Sequence, residues 1–282
     1  MILRLKTYSA AGVLGLLALL LAVESASGTQ HSHIHGIAFD PNDPTSLLIA
    51  THHGFYRASD GGVVERVSRD RNDYMGFILH PTDPDVMFAS GHPETGGNMG
   101  FISSSDGGAS WKLLSPGHGG PVDFHAIAVS HVDPQVMYGT FAGIQVTTDG
   151  GASWSLAGPG PDRVIDLAAS PSDAATVYAG TAAGLMVSRD GGASWYAASG
   201  PAEPASLVEF APDGSLFVYF VPSGLHKGAP DGGAVAPLAP APDILLHLAV
   251  HPLDPMHLVA VTRNSVVSRS RDGGVTWIEL AL

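Results

Sequence analysis

The chain of 282 residues is 45% hydrophobic, only 14% charged and rich in glycine (35) and proline (21), a composition suited to many short strands joined by turns around a sizeable core. Its formal charge of −13 excludes nucleic acid as a natural partner and matches a cation or a cationic partner. Cysteine is absent, which excludes disulfides, thiolate nucleophiles, cysteine-based metal sites and a lipoprotein anchor.

At the N-terminus, Arg4 and Lys6 precede a continuous apolar run from Ala10 to Val23, followed by the small residues Ser25-Ala26-Ser27-Gly28. The run is short for a membrane span, and the order of charge, apolar run and small residues is that of a secretory signal. Residues 1–28 are therefore expected to be an export signal and 29–282 the mature domain, periplasmic or extracellular, with membrane attachment only through an uncleaved signal. Cleavage after Gly28 would leave Thr29-Gln30-His31, whose amine and third-position imidazole suit square-planar Cu(II) or Ni(II).

The remainder is organised by one recurring stretch. Ser104-Ser105-Asp106-Gly107-Gly108-Ala109-Ser110-Trp111 returns around Asp149, Asp190 and Asp272, and two worn copies keep the turn at Asp60 and Asp231. The six aspartates, at 60, 106, 149, 190, 231 and 272, lie 46, 43, 41, 41 and 41 residues apart. A period of about 40 residues with strand-like content signals a propeller or solenoid. Locally the motif is a tight turn: glycines supply positive φ, the carboxylate accepts backbone amides, and the hydroxyl ties the other end. The tryptophan opens the next strand and offers a large apolar face to a neighbouring unit.

The units share one order: strand, Asp-Pro turn, strand, Gly turn, strand, Asp-Gly-Gly turn, strand. Unit one runs from His33-Ile34-His35-Gly36-Ile37 through Ser46 to Thr51 and on to Phe55 to Ser59. Unit two starts at Tyr74-Met75-Gly76-Phe77 and has a longer loop from Gly91 to Gly100. Unit three reads as strands at Phe124 to Val129, Val136 to Thr140, Ile144 to Thr148 and Trp154 to Leu156. Units four, five and six start near Val164, Leu207 and Leu245. Proline in the turns ends pairing. Four strands in each of six units predict an all-β, six-bladed propeller of antiparallel blades. Because the last strand reaches the chain end, blade six is expected to close on blade one through side-chain packing rather than a swapped strand. An open stack or a seventh blade are the alternatives.

A scaffold repeats and a site does not, so departures from the repeat mark the candidates. The approach to each first strand and the loop between second and third strands share one face. In units one to three this face collects His33 and His35, then His52 and His53, then His92 and Glu94, then His118, Asp123 and His125. His35 and His125 align with Met75, and His33 with Asp73 and Asp123, while His52-His53 stand where units three and four have Phe141-Ala142 and Ala182-Ala183. The spacing of His33 and His35 puts both on one strand face. Imidazoles with carboxylates at a channel mouth suit Zn(II), Cu(II) or Ni(II). The metal candidates are His33, His35, His52, His53, His92, His125 and Asp123, and Met75 and Met99 are available as soft copper ligands or core filler. His80, His131 and His251 read as turn residues on the opposite face, while His226, His247 and His257 have no evident company.

The four full turns, with His33-Ile34-His35-Gly36, His52-His53-Gly54, Met75-Gly76-Phe77, Ser90-Gly91-His92-Pro93 and Asp123-Phe124-His125-Ala126, resemble a group of exported bacterial BNR (Asp-box) repeat propellers. These are labelled glycosyl hydrolases and are related to sialidases and sortilin-like receptors. The resemblance spans nearly all of residues 29–282 and implies that the box sits on the rim, away from the central site. It transfers fold and not activity. A sialidase would need three inward arginines, a Tyr/Glu pair and an acid. Here Arg189 and Arg271 lie inside boxes, leaving Arg163 and Arg263 as channel-face arginines. Three readings follow: a binding protein for a transition metal (Zn or Cu) or a small anionic ligand, a glycan hydrolase using carboxylates such as Glu94 with Asp123 or Asp73, and a platform for an envelope protein partner.

Overall fold

The computed structural model describes residues 33–229, 233–239 and 243–282. The expected export signal, His31 and the worn turn at Asp231 lie outside the described residues. The described residues form twenty-four strands and no helix. Blade one is β1 (Ile34–Asp40), β2 (Asp43–Thr51), β3 (Gly54–Ala58) and β4 (Val64–Arg66). Blade two is β5 (Asp73–Leu79), β6 (Met87–His92), β7 (Phe101–Ser104) and β8 (Lys112–Ser115). Blade three is β9 (Ile127–Val129), β10 (Met137–Thr140), β11 (Ile144–Thr147) and β12 (Ser155–Gly158). Blade four is β13 (Val164–Ala169), β14 (Val177–Thr181), β15 (Gly184–Ser188) and β16 (Tyr196–Ala197). Blade five is β17 (Ala205–Phe210), β18 (Leu216–Phe220), β19 (Gly224–Gly228) and β20 (Ala236–Ala239). Blade six is β21 (Leu245–His251), β22 (Asp254–Thr262), β23 (Val267–Ser270) and β24 (Ile278–Glu279).

Each blade is an antiparallel meander of four consecutive strands. The first strands touch in a closed cycle, β1 to β5, β5 to β9, β9 to β13, β13 to β17, β17 to β21 and β21 back to β1, so they surround the central channel. The six-bladed propeller expected from the period is the fold observed. Among the described residues no strand is exchanged between blades one and six. Ile37, Phe39, Leu47 and Ile49 instead pack with Ala249, Val259, Val261 and Val267 in one buried cluster. Asp60 of the worn turn pairs with Arg269 across the same junction at 2.5 Å.

The repeated turn fastens blade to blade. In blade two, Asp106 accepts the Ser104 hydroxyl at 2.9 Å, the Ser110 amide at 2.9 Å and the Ser110 hydroxyl at 2.6 Å. Ser104 in turn accepts the Gly108 amide at 2.9 Å. The same bonds recur around Asp149, Asp190 and Asp272. The second glycine is required twice over: Gly151 has φ +89°, and a Cβ there would stand 2.1 Å from the ring of Phe101 in the preceding blade. Trp154 packs on Phe101 and Phe124, and Trp111 on Phe55 and Tyr74, so each tryptophan seals the gap between neighbouring blades.

One strand is shorter than its hydrophobic run. Unit three reads as extended from Phe124, but β9 pairs only from Ile127. The Phe124 amide is taken by the Ser90 hydroxyl of blade two at 2.9 Å, which holds this residue against the neighbouring blade, while Ala126 still accepts the Thr140 amide of its own blade at 3.2 Å.

Candidate functional site

The channel mouth of blades one to three is assembled from small backbone irregularities. The β1–β2 register runs Ile34 to Thr51 and then Gly36 to Ala50, leaving His35 as the extra, unpaired residue of a bulge. The same shift occurs at the start of blades four, five and six, where the bulged residues are Ile165, Ser206 and Leu246. A bulge re-aims one side chain, and blade one places an imidazole in that position. His52 sits in the two-residue turn after β2, closed by the Thr51 hydroxyl donating to Gly54 and accepting the His53 amide. Blade four builds the same turn with Thr181 and Gly184 around Ala182-Ala183. The scaffold is thus common, and only the side chains differ.

Two clusters result. In the first, His35 Nε2 lies 2.9 Å from His52 Nδ1 and 3.5 Å from Asp73 Oδ1, and His52 Nδ1 lies 2.8 Å from Asp73 Oδ2. These three residues present one ligand atom each within 4.8 Å of one another. In the second, Asp123 Oδ2 faces His92 Nε2 at 3.0 Å and His125 Nε2 at 2.8 Å. The clusters adjoin, because Asp73 and His92 are directly opposed on the β5–β6 ladder. Oδ1 of both Asp73 and Asp123 is buried without a hydrogen-bond partner.

The electrostatics separate the members. Burial lowers the pKa of His35 to about 4, with Asp73 opposing and His52, His247 and His33 adding to the depression. His35 is therefore a neutral imidazole at neutral pH, the form a metal takes. Hydrogen bonding to Asp123 raises the pKa of His125 against its burial. Burial pushes the Asp123 carboxyl upward, but the hydrogen bonds and charges of His125 and His92 outweigh it and hold the group below its ordinary value.

The remaining candidates lie around these clusters. His33 precedes β1 at φ 39°, its ring stacked 6.5 Å from that of His35 and 5.8 Å from that of His52. The exposed ring of His53 is 5.9 Å from that of His52. Glu94 is exposed in the loop after β6; its amide binds Asn72, and its carboxylate makes no hydrogen bond or ion pair with a described residue. Met75 is buried, and Met99 packs on the core of blades one and two. His118 holds Gln145 through its backbone. Arg163 faces Asp162 and Arg263 faces Asp243, each in a surface pair. His80 and His251 accept turn amides through Nδ1. His257 stacks on His251 and meets Arg271.

Two members of this neighbourhood were not singled out as ligands in the sequence. Asp73 stands there as a catalytic carboxylate and belongs here to the first histidine cluster. Its alignment with Asp123 was the available signal. His247 of β21 had no partner in sequence, yet closure of the ring brings it near enough to His35 to lower that pKa.

No family model matches the chain, and no curated protein matches it. Solved structures do resemble it. A GH74 xyloglucanase from Xanthomonas campestris is 20% identical over 91% of this chain and 46% of that one, with a TM-score of 0.62. A GH74 enzyme from Niastella koreensis is 17% identical over 88% of this chain and 45% of that one, at 0.65. YCF48 bound to a D1 peptide is 18% identical over 91% of this chain and 84% of that one, at 0.53. The chain spans about half the length of the two GH74 enzymes. At these identities the likeness is one of propeller fold.

Proposed function

We propose that this propeller is an exported Asp-box protein that binds a divalent first-row transition metal at His35, His52 and Asp73. The observation that carries the reading is the spacing of the three donors. Ligands about 2.1 Å from a tetrahedral ion stand about 3.4 Å from one another; here the two imidazole nitrogens are 2.9 Å apart, His35 is 3.5 Å from Asp73 Oδ1 and His52 is 2.8 Å from Asp73 Oδ2, with one ligand atom from each residue within 4.8 Å of the others. A single ring proton on His52 would have to serve both His35 and Asp73, whereas a cation between them satisfies all three. The carboxylate favours a cation over an anionic ligand. Two imidazoles and one carboxylate suit Zn(II) or Cu(II) and leave a coordination position for water or a further ligand. Export through residues 1–28 and membership of the BNR group belong to the same proposal. The fold shared with GH74 enzymes keeps glycan hydrolysis as the competing reading, but Asp73 and Asp123 are each engaged by histidines and Glu94 stands apart. The test is metal analysis and titration of tag-free protein with Zn(II), Cu(II) and Fe(II). Saturable uptake lost in His35→Ala supports the proposal, and silence with all three ions sinks it.

A further inference from the structure

We propose that Ser265 of blade six is a positioning residue for the metal site: its hydroxyl fixes the backbone of Ile34 and thereby aims His35 at the ion. The proposal rests on the metal reading of His35, His52 and Asp73 and adds to it a group that is itself no ligand.

A bulged residue has no partner of its own on the ladder, so its direction depends on what holds its neighbours. Ile34, immediately before His35, is paired with Thr51, but its amide is bound by the Ser265 hydroxyl at 3.2 Å, across the closure of the ring. One residue earlier, the His33 carbonyl takes the His52 amide at 3.2 Å, so the segments carrying both imidazole ligands are joined through the same short stretch. Blade four repeats this second bond between Ala182 and Arg163, also at 3.2 Å. The hydroxyl on the Ile34 amide is what blade one receives in addition.

The turn that carries Ser265 also departs from the repeat. Between second and third strands, Ala50 faces Phe55 in blade one and Gly180 faces Leu185 in blade four, whereas in blade six Val261 faces Val267, one residue further on. Ser265 stands in the lengthened turn at φ 59°, a left-handed conformation that a serine keeps only where its surroundings hold it. The Ser265 amide binds the Thr262 carbonyl at 2.9 Å, and Asp243 takes Arg263 at 3.2 Å and Asn264 at 2.6 Å. The turn is thus a firm mount for one hydroxyl. His247 adds a second contact from the same blade. It occupies the repeat position from which Asp166 of blade four reaches the Val208 amide of the next blade at 2.9 Å, and its ring lies close to the Ile34 backbone and to His35.

The experiment compares the tag-free full chain with its Ser265→Gly variant by Zn(II) calorimetry, Co(II) absorption spectroscopy and thermal melting without metal. Glycine removes the hydroxyl and accepts the positive φ without strain, so the metal-free midpoint should be unchanged or higher. Zn(II) affinity should fall about 10–100-fold. The Co(II) d–d bands should shift, because His35 no longer keeps its direction. As a control, Ser206→Ala cuts a 2.7 Å hydroxyl bond to the Leu245 carbonyl between blades five and six, and should alter neither affinity nor bands. Wild-type affinity and wild-type bands in Ser265→Gly overturn the positioning role and leave the metal site standing. Weaker binding with unaltered bands assigns Ser265 to the stability of the ring alone and overturns the role as well. No metal uptake by the wild type overturns the underlying site, and the positioning role with it.

Discussion

The rim turns and the channel mouth are both built on aspartates, and the difference lies in how completely each carboxylate is occupied. Asp149, Asp190 and Asp272 each accept two hydroxyls and at least one amide from their own loop, which lowers their pKa to about 2. Nothing is left over for a ligand. Asp73 and Asp123 face imidazoles, and each retains a buried oxygen without a hydrogen bond. A saturated carboxylate fixes a turn, and an unsaturated one beside imidazoles is available to bind. The comparison predicts that the two regions fail differently when altered.

The largest effect is expected at the mouth. Loss of a partner that only orients a ligand costs about 10–100-fold in metal affinity, so His52→Ala, which removes a donor, should cost at least about 100-fold by calorimetry while leaving the metal-free thermal midpoint nearly unchanged. Next in size is Gly151→Ala on the rim. It strains a residue at φ +89° and drives a methyl into Phe101. A loss of at least about 2 kcal/mol is expected, lowering the midpoint by roughly 5 °C in differential scanning calorimetry with metal stoichiometry intact. Asp106→Ala, in an exposed turn, should lower the midpoint by only about 1–3 °C and again spare binding.

A smaller effect separates the mouth from the far wall of the channel. Asp166 and Glu209 lie half-buried on β13 and β17, two of the first strands that surround the channel. Burial raises their pKa values to about 7 and about 8, with the Val208 and Leu167 amides opposing for Asp166 and the Asp166 charge adding for Glu209. Between the ordinary glutamate value of 4.5 and about 8 the folded chain binds more protons than the unfolded one, so this group's contribution to stability falls as pH rises. Glu209→Gln should therefore raise the midpoint at about pH 9, leave it unchanged below about pH 4, and flatten the profile between. Glu94→Gln should change neither metal affinity nor stability, since its carboxylate touches none of the histidines.

The period of the Asp-Gly-Gly turns made the fold legible, because a turn tied by its own serine and aspartate is local chemistry. The same register exposed His35, His52, His92 and His125 as departures from the repeat. Three things were not legible. The bulge that turns out His35 is a cross-strand feature, visible only when Ile34 and Gly36 are paired with Thr51 and Ala50. The pairing of Asp73 with His35 and His52 crosses from one blade to the next. The approach of His247 to His35 joins residues more than two hundred positions apart through ring closure. The sequence could mark the side chains that differ, but their partners are chosen by how the blades meet.

The central claim, that the mouth of blades one to three binds metal through donors left unsaturated, is tested most directly by parallel Zn(II) titrations of the tag-free wild type and Asp73→Asn. The account predicts saturable binding in the wild type and a loss of at least about 100-fold in the variant, with both chains equally folded. Absence of saturable binding in the wild type, or the same isotherm in both proteins, would contradict it.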